Sequence, residues 1–137
     1  MNKFQLEILT PERVFYQGEC ISLVVPIADG MLGIMAGREP ITASITSGEA
    51  HCTRPDGERI LFSIMGGMVD VQDNTVKLLC EIALLPEEID EELEKEKIEK
   101  ARSELAGKQS RQDYMLSKLM LANAIENLKI KQKKTVN

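Results

Sequence analysis

A chain of 137 residues, 43% hydrophobic and 28% charged, is long enough to bury a core without disulfide or metal staples. Its net charge of −5 opposes binding to phosphate backbones, and 4% aromatic residues with no Trp leave little to stack on bases, so nucleic acid is not expected as a partner. Cys20, Cys52 and Cys80 are odd in number and far apart, with no CxxC pair, which suits reduced thiols in a cytosolic protein.

The N-terminal stretch "MNKFQLEILTPERVF" carries Lys3, Glu7, Glu12 and Arg13 and has no long apolar run, so it reads as neither a signal peptide nor a membrane span. Phe4, Leu6 and Ile8 alternate with polar neighbours, the period of a strand with one buried face. The runs "ISLVVP", "RILFSIMGG" and "TVKLLCEIALL" continue the pattern, separated by turn signals in "PDGE" and "QDN". Many short strands with regular turns predict a sandwich or barrel up to about Pro86. Gly66-Gly67 inside such a run predicts a bulge or a place where another backbone comes close.

Between these strands lies "PIADGMLGIMAGREP", residues 26–40, with three glycines threaded through apolar residues. A phosphate cradle needs GxxxxGK[ST], or GxGxxG opening a helix. Here Gly37 is followed by Arg38, Glu39 and Pro40, which blocks a helix start of that kind. Phosphate binding is therefore not expected here, which leaves a docking loop as the other reading.

After Pro86 the pattern becomes helical. "PEEIDEELEKEKIEKARSELAGK" is rich in helix formers, with acidic residues in its first turn, where the helix dipole favours them. Ile89, Leu93, Ala101 and Leu105 give a thin apolar stripe interrupted by Lys97. A second helix is predicted from about Arg111 to Ile130, after a "GKQS" turn. Tyr114, Leu121, Ala124, Ile125 and Leu128 form one of its faces, whereas Met115, Leu116, Leu119 and Ile130 project to the other. The two surfaces suit either burial on both sides or a helix that exchanges partners. Residues 1–86 hold 6 basic against 11 acidic side chains, residues 87–99 hold 2 against 8, and residues 100–137 hold 9 against 3. The helical part is thus neutral but strongly dipolar, with a basic end in "KIKQKK" that could dock on an acidic surface.

Catalytic chemistry is hard to build from these residues. His51 is the only histidine, so neither a multi-histidine metal site nor a Ser-His-Asp triad is available. Asp29, Glu39, Asp56 and Asp70 are dispersed, with no pair placed as acid and base. No catalytic residue, metal or cofactor is expected. The methionines Met31, Met35, Met65 and Met68 suit adaptable packing or an apolar contact surface.

"LTPERVFYQGE" (9–19), "VPIADGMLGIMAGREPITASI" (25–45), "GGMVDVQDNTVKLL" (66–79) and "EEID" (87–90) occur in the order and spacing of the epsilon subunit of the F-type ATP synthase. "DYMLSKLMLANAIENLKI" (113–130) resembles that family's last helix. The resemblance implies an α+β fold: an N-terminal antiparallel β-sandwich over 1–86, binding the gamma shaft and rotor ring, followed by a regulatory two-helix antiparallel hairpin over 87–137. It also implies a non-catalytic central-stalk subunit. Its helices would fold against the sandwich or extend along the shaft to the alpha and beta subunits and restrain ATP hydrolysis.

By position, Asp29, Gly30, Met31 and Leu32 would meet the polar loops of the c subunits. Gly37, Arg38, Glu39 and Pro40, continuing to Ala43, would lie near a contact shared by gamma and the ring. Met31 and Arg38 depart from the family's usual polar or acidic residue and histidine. Of the I-D-x-x-R-A motif through which some members bind ATP, Ile89 and Asp90 match. Leu93 and Glu94 replace Arg and Ala, and Asn123 and Asn127 stand where further arginines would fall, so no nucleotide cofactor is expected. Lys129, Lys131, Lys133 and Lys134 form the regulatory tail. The implied location is peripheral, on the cytoplasmic face of the bacterial plasma membrane, with membrane contact only through the complex. The competing readings are a free-standing enzyme acting on phosphorylated substrates and a general protein-interaction adaptor with a helical tail; the break at Lys97 argues against a long coiled coil.

Overall fold

A computed structural model describes residues 2–106 and 111–136, with side chains over 2–103 and 115–133. The expected "GKQS" turn, 107–110, lies outside the described residues. The chain divides into two compact units, Met1–Leu85 and Pro86–Asn137.

The first unit contains eight strands: β1 (Phe4–Leu9), β2 (Val14–Cys20), β3 (Ser22–Ile27), β4 (Gly30–Met35), β5 (Ile41–Ile45), β6 (Gly48–Thr53), β7 (Arg59–Gln72) and β8 (Thr75–Leu84). They follow the order β2-β1-β8-β7-β6-β3-β4, with β5 also on β7. The 14-residue β7 links two layers, because its first half, Arg59–Ile64, pairs with β6 and its second half, Gly67–Val71, pairs with β5. The expected β-sandwich is therefore present. One pairing is not antiparallel: β1 runs parallel to β8 from Gln5↔Thr75 to Leu9↔Leu79.

Strand alternation sends Phe4, Leu6 and Ile8 inward with Leu23, Val25, Ile34, Phe62, Ile64, Val69, Val76 and Leu78. Each such large side chain contributes about 1.5–3 kcal/mol on leaving water. The Thr10–Arg13 turn closes by Arg13 N–H donating to Thr10 Oγ1 at 3.1 Å and Thr10 N–H to the Arg13 carbonyl at 3.0 Å. The β7–β8 turn consists of Asp73 and Asn74, with φ of 49° and 58°, the left-handed pair that matches strand twist in a two-residue hairpin.

Gly66-Gly67 does not make a bulge: the β7–β8 register runs unchanged from Met65↔Ile82 to Gly67↔Cys80. The other expectation holds. A Cβ on Gly67 would overlap the Leu79 carbonyl oxygen and lie 2.8 Å from Cys80 Cα.

In the second unit a short turn, Pro86–Glu88, leads to α1 (Glu91–Ala106) and α2 (Arg111–Val136), which pack on each other. Asp90 starts α1 by accepting Leu93 N–H at 3.1 Å, an N-cap next to a first turn rich in glutamate. The buried line of α1 departs from the expected stripe. Glu94 and Ala101 are buried and Ile98 is half-buried, while Leu93 is exposed; the i, i+4, i+7 set centred on Ile98 outcompetes the line through Leu93. On α2, Met115, Leu116 and Leu119 are exposed, so the second face is not buried as the two-sided reading allowed. Ile130 is buried instead, near the Pro86–Glu88 turn that α2 contacts, where Lys131 Nζ donates to the Pro86 carbonyl at 3.2 Å.

Candidate docking face and loop

The sequence-predicted loop begins as a tight hairpin. Ile27 pairs with Gly30, leaving Ala28 and Asp29 at the turn, with Asp29, Gly30 and Met31 exposed and Leu32 packed on the core. β4 ends the strand order. It presents Met31 at 54% and Met35 at 66% exposure on one side, as the two-residue period requires. The chain then crosses to β5 through Gly37, whose φ of 78° is readily adopted only by glycine.

Gly37 N–H donates to Asn74 Oδ1 at 3.0 Å and Arg38 Nη1 donates to the Gly33 carbonyl at 3.2 Å. Arg38, Glu39 and Pro40 are exposed. The single guanidinium of this loop thus points back to its own strand, and the arrangement offers no converging donors for a phosphate.

A second exposed feature could not be located from the sequence. The registers Leu9↔Leu79, Leu79↔Met68 and Met68↔Ser44 place these four residues in one row across β1, β8, β7 and β5. Met68 and Leu79 are 42% and 43% exposed and, with Thr10, Pro11 and Cys80, line a groove of about 610 Å³. The next row, Glu7, Lys77, Asp70 and Thr42, is polar, and Thr42 Oγ1 donates to Asp70 Oδ1 at 2.9 Å. An apolar row bounded by polar groups is the pattern of a protein-binding patch. The alternation "MVD" and "KLLCE" hinted at outward apolar residues, but only cross-strand register brings Leu9, Met68 and Leu79 together.

The three thiols are buried and form no disulfide. Cys20 Sγ donates to Tyr16 Oη at 3.3 Å. The Cys52 thiol is pushed up by its hydrogen bond with Cys20 and by burial. Cys80 is pushed up to about 11 by burial, with Glu81 adding to it. A folded-state value above the ordinary 9.0 means that the native state keeps its proton longer than the unfolded chain. The associated stability is complete below pH 9 and is lost as pH rises toward 11. Urea titrations are expected to show about 1–2 kcal/mol less stability at pH 11 than at pH 9 from Cys80 alone, a difference that Cys80→Ala removes. Cys52 adds a decrement of the same sign.

His51 lies half-buried on β6, with Arg59 Nη2 3.0 Å from Nε2. Among the described residues no group of three His, Cys, Asp or Glu could hold a metal ion. The residues matching the nucleotide motif are occupied locally: Ile89 is buried, Asp90 caps α1, and Asn127 Nδ2 donates to Asn123 Oδ1 at 3.5 Å. Leu93 is exposed, and Glu94 pairs with Lys97 at 3.2 Å. Of the basic tail, Lys129 pairs with Glu126 at 3.6 Å and Lys131 reaches Pro86. Lys133 is exposed, and the side chain of Lys134 lies outside those described.

A β-sandwich with an exposed apolar row, followed in the chain by a pair of helices, is the architecture to set beside known proteins. Residues 3–86 match the family described as ATP synthase, Delta/Epsilon chain, beta-sandwich domain. The chain is 34% identical over 130 residues to the ATP synthase epsilon chain of Caldanaerobacter subterraneus subsp. tengcongensis, covering 95% of this chain and 94% of that one. It is 33% identical over 100 residues to the ATP synthase epsilon chain of Leptospira interrogans, covering 73% and 78%. The chain belongs to the ATP synthase epsilon chain family and is a non-catalytic subunit. Its fold is shared with a chain of the Euglena gracilis mitochondrial ATP synthase, solved as OSCP/F1/c-ring, with a TM-score of 0.78, 18% identity and coverage of 100% and 83%. A chain of the Tetrahymena thermophila mitochondrial ATP synthase, solved as central stalk/cring, gives a TM-score of 0.65 at 14% identity, covering 93% and 95%.

Proposed function

We propose that the chain sits in the central stalk of an ATP synthase, where its sandwich couples the rotor ring to the gamma shaft and its helices restrain ATP hydrolysis. The observation that carries this reading is the row Leu9, Leu79, Met68 and Ser44, whose apolar members Met68 and Leu79 are exposed. Burying two such apolar side chains supplies binding without chemistry. We assign this row to the gamma shaft, Asp29, Gly30, Met31 and Leu32 to the c subunits, and Gly37–Pro40 to a contact shared by both. The helices and the lysines at 129, 131, 133 and 134 would reach the alpha and beta subunits in an extended state.

The Leptospira and Caldanaerobacter relatives favour a bacterial enzyme and hence the cytoplasmic face of the plasma membrane. No described helix is long and apolar enough to cross a membrane, so attachment would run through the complex. The test is reconstitution of the full chain into an ATP synthase depleted of it. Met68→Glu with Leu79→Lys is expected to weaken association about 100-fold, through lost apolar burial and newly desolvated charge. Because both side chains are exposed, the unfolding midpoint is expected to stay within a few degrees. Unchanged affinity would remove the row from the interface.

A further inference from the structure

The β7–β8 turn has a residue choice that the turn itself does not demand. A two-residue hairpin with both residues left-handed favours glycine second, after Asn or Asp. Here Asn74 takes that position at a φ of 58°, accepting strain that glycine would not have. Its side chain accounts for the choice. Asn74 Oδ1 accepts Gly37 N–H at 3.0 Å, and Asn74 Nδ2 donates to the Lys3 carbonyl at 2.7 Å. Its own carbonyl accepts Gln5 N–H at 3.1 Å.

Three separate segments therefore meet at one residue: the start of β1, the β7–β8 turn and the crossing from β4 to β5. A carboxamide supplies the acceptor and the donor on two separate atoms of one short side chain. Reversing the amide would set its NH₂ against the Gly37 N–H and its oxygen against the Lys3 carbonyl, so the network selects a single orientation. Next to Gly37 in the chain, Arg38 Nη1 donates to the Gly33 carbonyl at 3.2 Å. The Gly37–Pro40 loop is thus fastened at two points while its exposed residues remain available.

We infer that Asn74 is a positioning residue for docking: through the Gly37 amide it fixes the Gly37–Pro40 loop in the shape presented to a partner protein. The inference rests on the reading of that loop as a stalk contact. Ordering a loop before binding lowers the entropy lost on association, so the effect belongs in affinity for the stalk more than in stability of the sandwich.

Two substitutions separate the roles in the full-length chain. Asn74→Gly keeps the turn conformation and removes both side-chain bonds. Asn74→Asp keeps an acceptor for the Gly37 N–H and replaces the donor to Lys3 by a second oxygen, which the Lys3 carbonyl repels. Hydrogen exchange at the Gly37 amide, read by NMR, is expected to accelerate about three- to tenfold in Asn74→Gly, the range that one hydrogen bond provides, and to accelerate less in Asn74→Asp, which keeps an acceptor there. Association with an ATP synthase depleted of this chain is expected to follow the same order, weakening about three- to tenfold for Asn74→Gly and recovering in part with Asp, while the unfolding midpoint of Asn74→Gly does not fall. Unaltered Gly37 exchange in Asn74→Gly, or an Asp variant that protects Gly37 yet binds as weakly as the Gly variant, would overturn the inference. If the unaltered chain fails to associate at all, the docking reading falls and the loop's assigned purpose falls with it, whereas Gly37 exchange still decides whether the clamp exists.

Discussion

An ATP synthase whose copy of this chain is truncated after Pro86 is expected to retain the subunit and to hydrolyse ATP at least about fivefold faster, the lower end of what a coupling of 1–3 kcal/mol produces. The expectation comes from how the helices are held. In the second unit Glu94, Ser117 and Asn127 are buried as well as Ala101, Ala124 and Ile130, a large polar share for the interior of a helix pair. Glu94 Oε1 meets Lys97, but Glu94 Oε2 is buried with no hydrogen-bond partner among the described residues. An unsatisfied buried acceptor costs about 1–3 kcal/mol.

Meanwhile Leu93, Met115, Leu116, Leu119 and Met120 stay exposed. A pair with a partly polar interior and unused apolar surface can be opened by a partner that offers moderately better contacts, because only the difference in affinity between the two states matters. The sandwich keeps its own core and the row at Met68 and Leu79. Truncation therefore separates restraint from attachment, and ATPase assays with quantified subunit retention read both.

Gly67→Ala is expected to be the most damaging single methyl addition in the sandwich, at about 4 kcal/mol or more and a melting midpoint lower by about 15–20 °C. The new Cβ would overlap the Leu79 carbonyl oxygen and lie 2.8 Å from Cys80 Cα. Those are backbone atoms of the paired strand and have no rotamer into which to retreat. The φ of 138° adds strain for any residue with a side chain. Gly67 also sits in the stretch where β7 passes from β6 to β5, so a displaced strand would disturb both layers. Gly33→Ala is the control, since nothing lies within 4 Å of where its methyl group would stand and its backbone is ordinary strand; circular dichroism melts are expected to place it within about 1 kcal/mol of the parent.

What could be read in advance follows the physics of each feature. The alternation in "KFQLEIL" and the switch to helix formers after Pro86 are local properties, and both survive in β1 and α1. Register and strand order are not local. Nothing in "FQLEIL" or "TVKLLCEIAL" announces that β1 and β8 run parallel, and without that pairing Leu9, Leu79 and Met68 cannot be placed in one row.

The helical seam failed for a related reason. A hydrophobic count favours Leu93, whereas packing at i, i+4, i+7 around Ile98 leaves Leu93 in solvent and draws in Glu94. The loop at 26–40 was visible as a place where glycine and exposed apolar residues coincide. Its fastening by Asn74, 37 residues from Gly37 along the chain, was not, because a single asparagine in "QDN" reads as turn chemistry alone.

The central claim is that the exposed faces of the sandwich join rotor ring and shaft. Its most direct measurement is affinity purification of the tagged full-length chain from mildly solubilised membranes, with the bound subunits identified and quantified. The account predicts that gamma and the c subunits are recovered with the chain in fixed ratio, and that Met68→Glu with Leu79→Lys strips gamma away. Recovery of the chain as a lone monomer, or recovery of gamma undiminished by those substitutions, would contradict it.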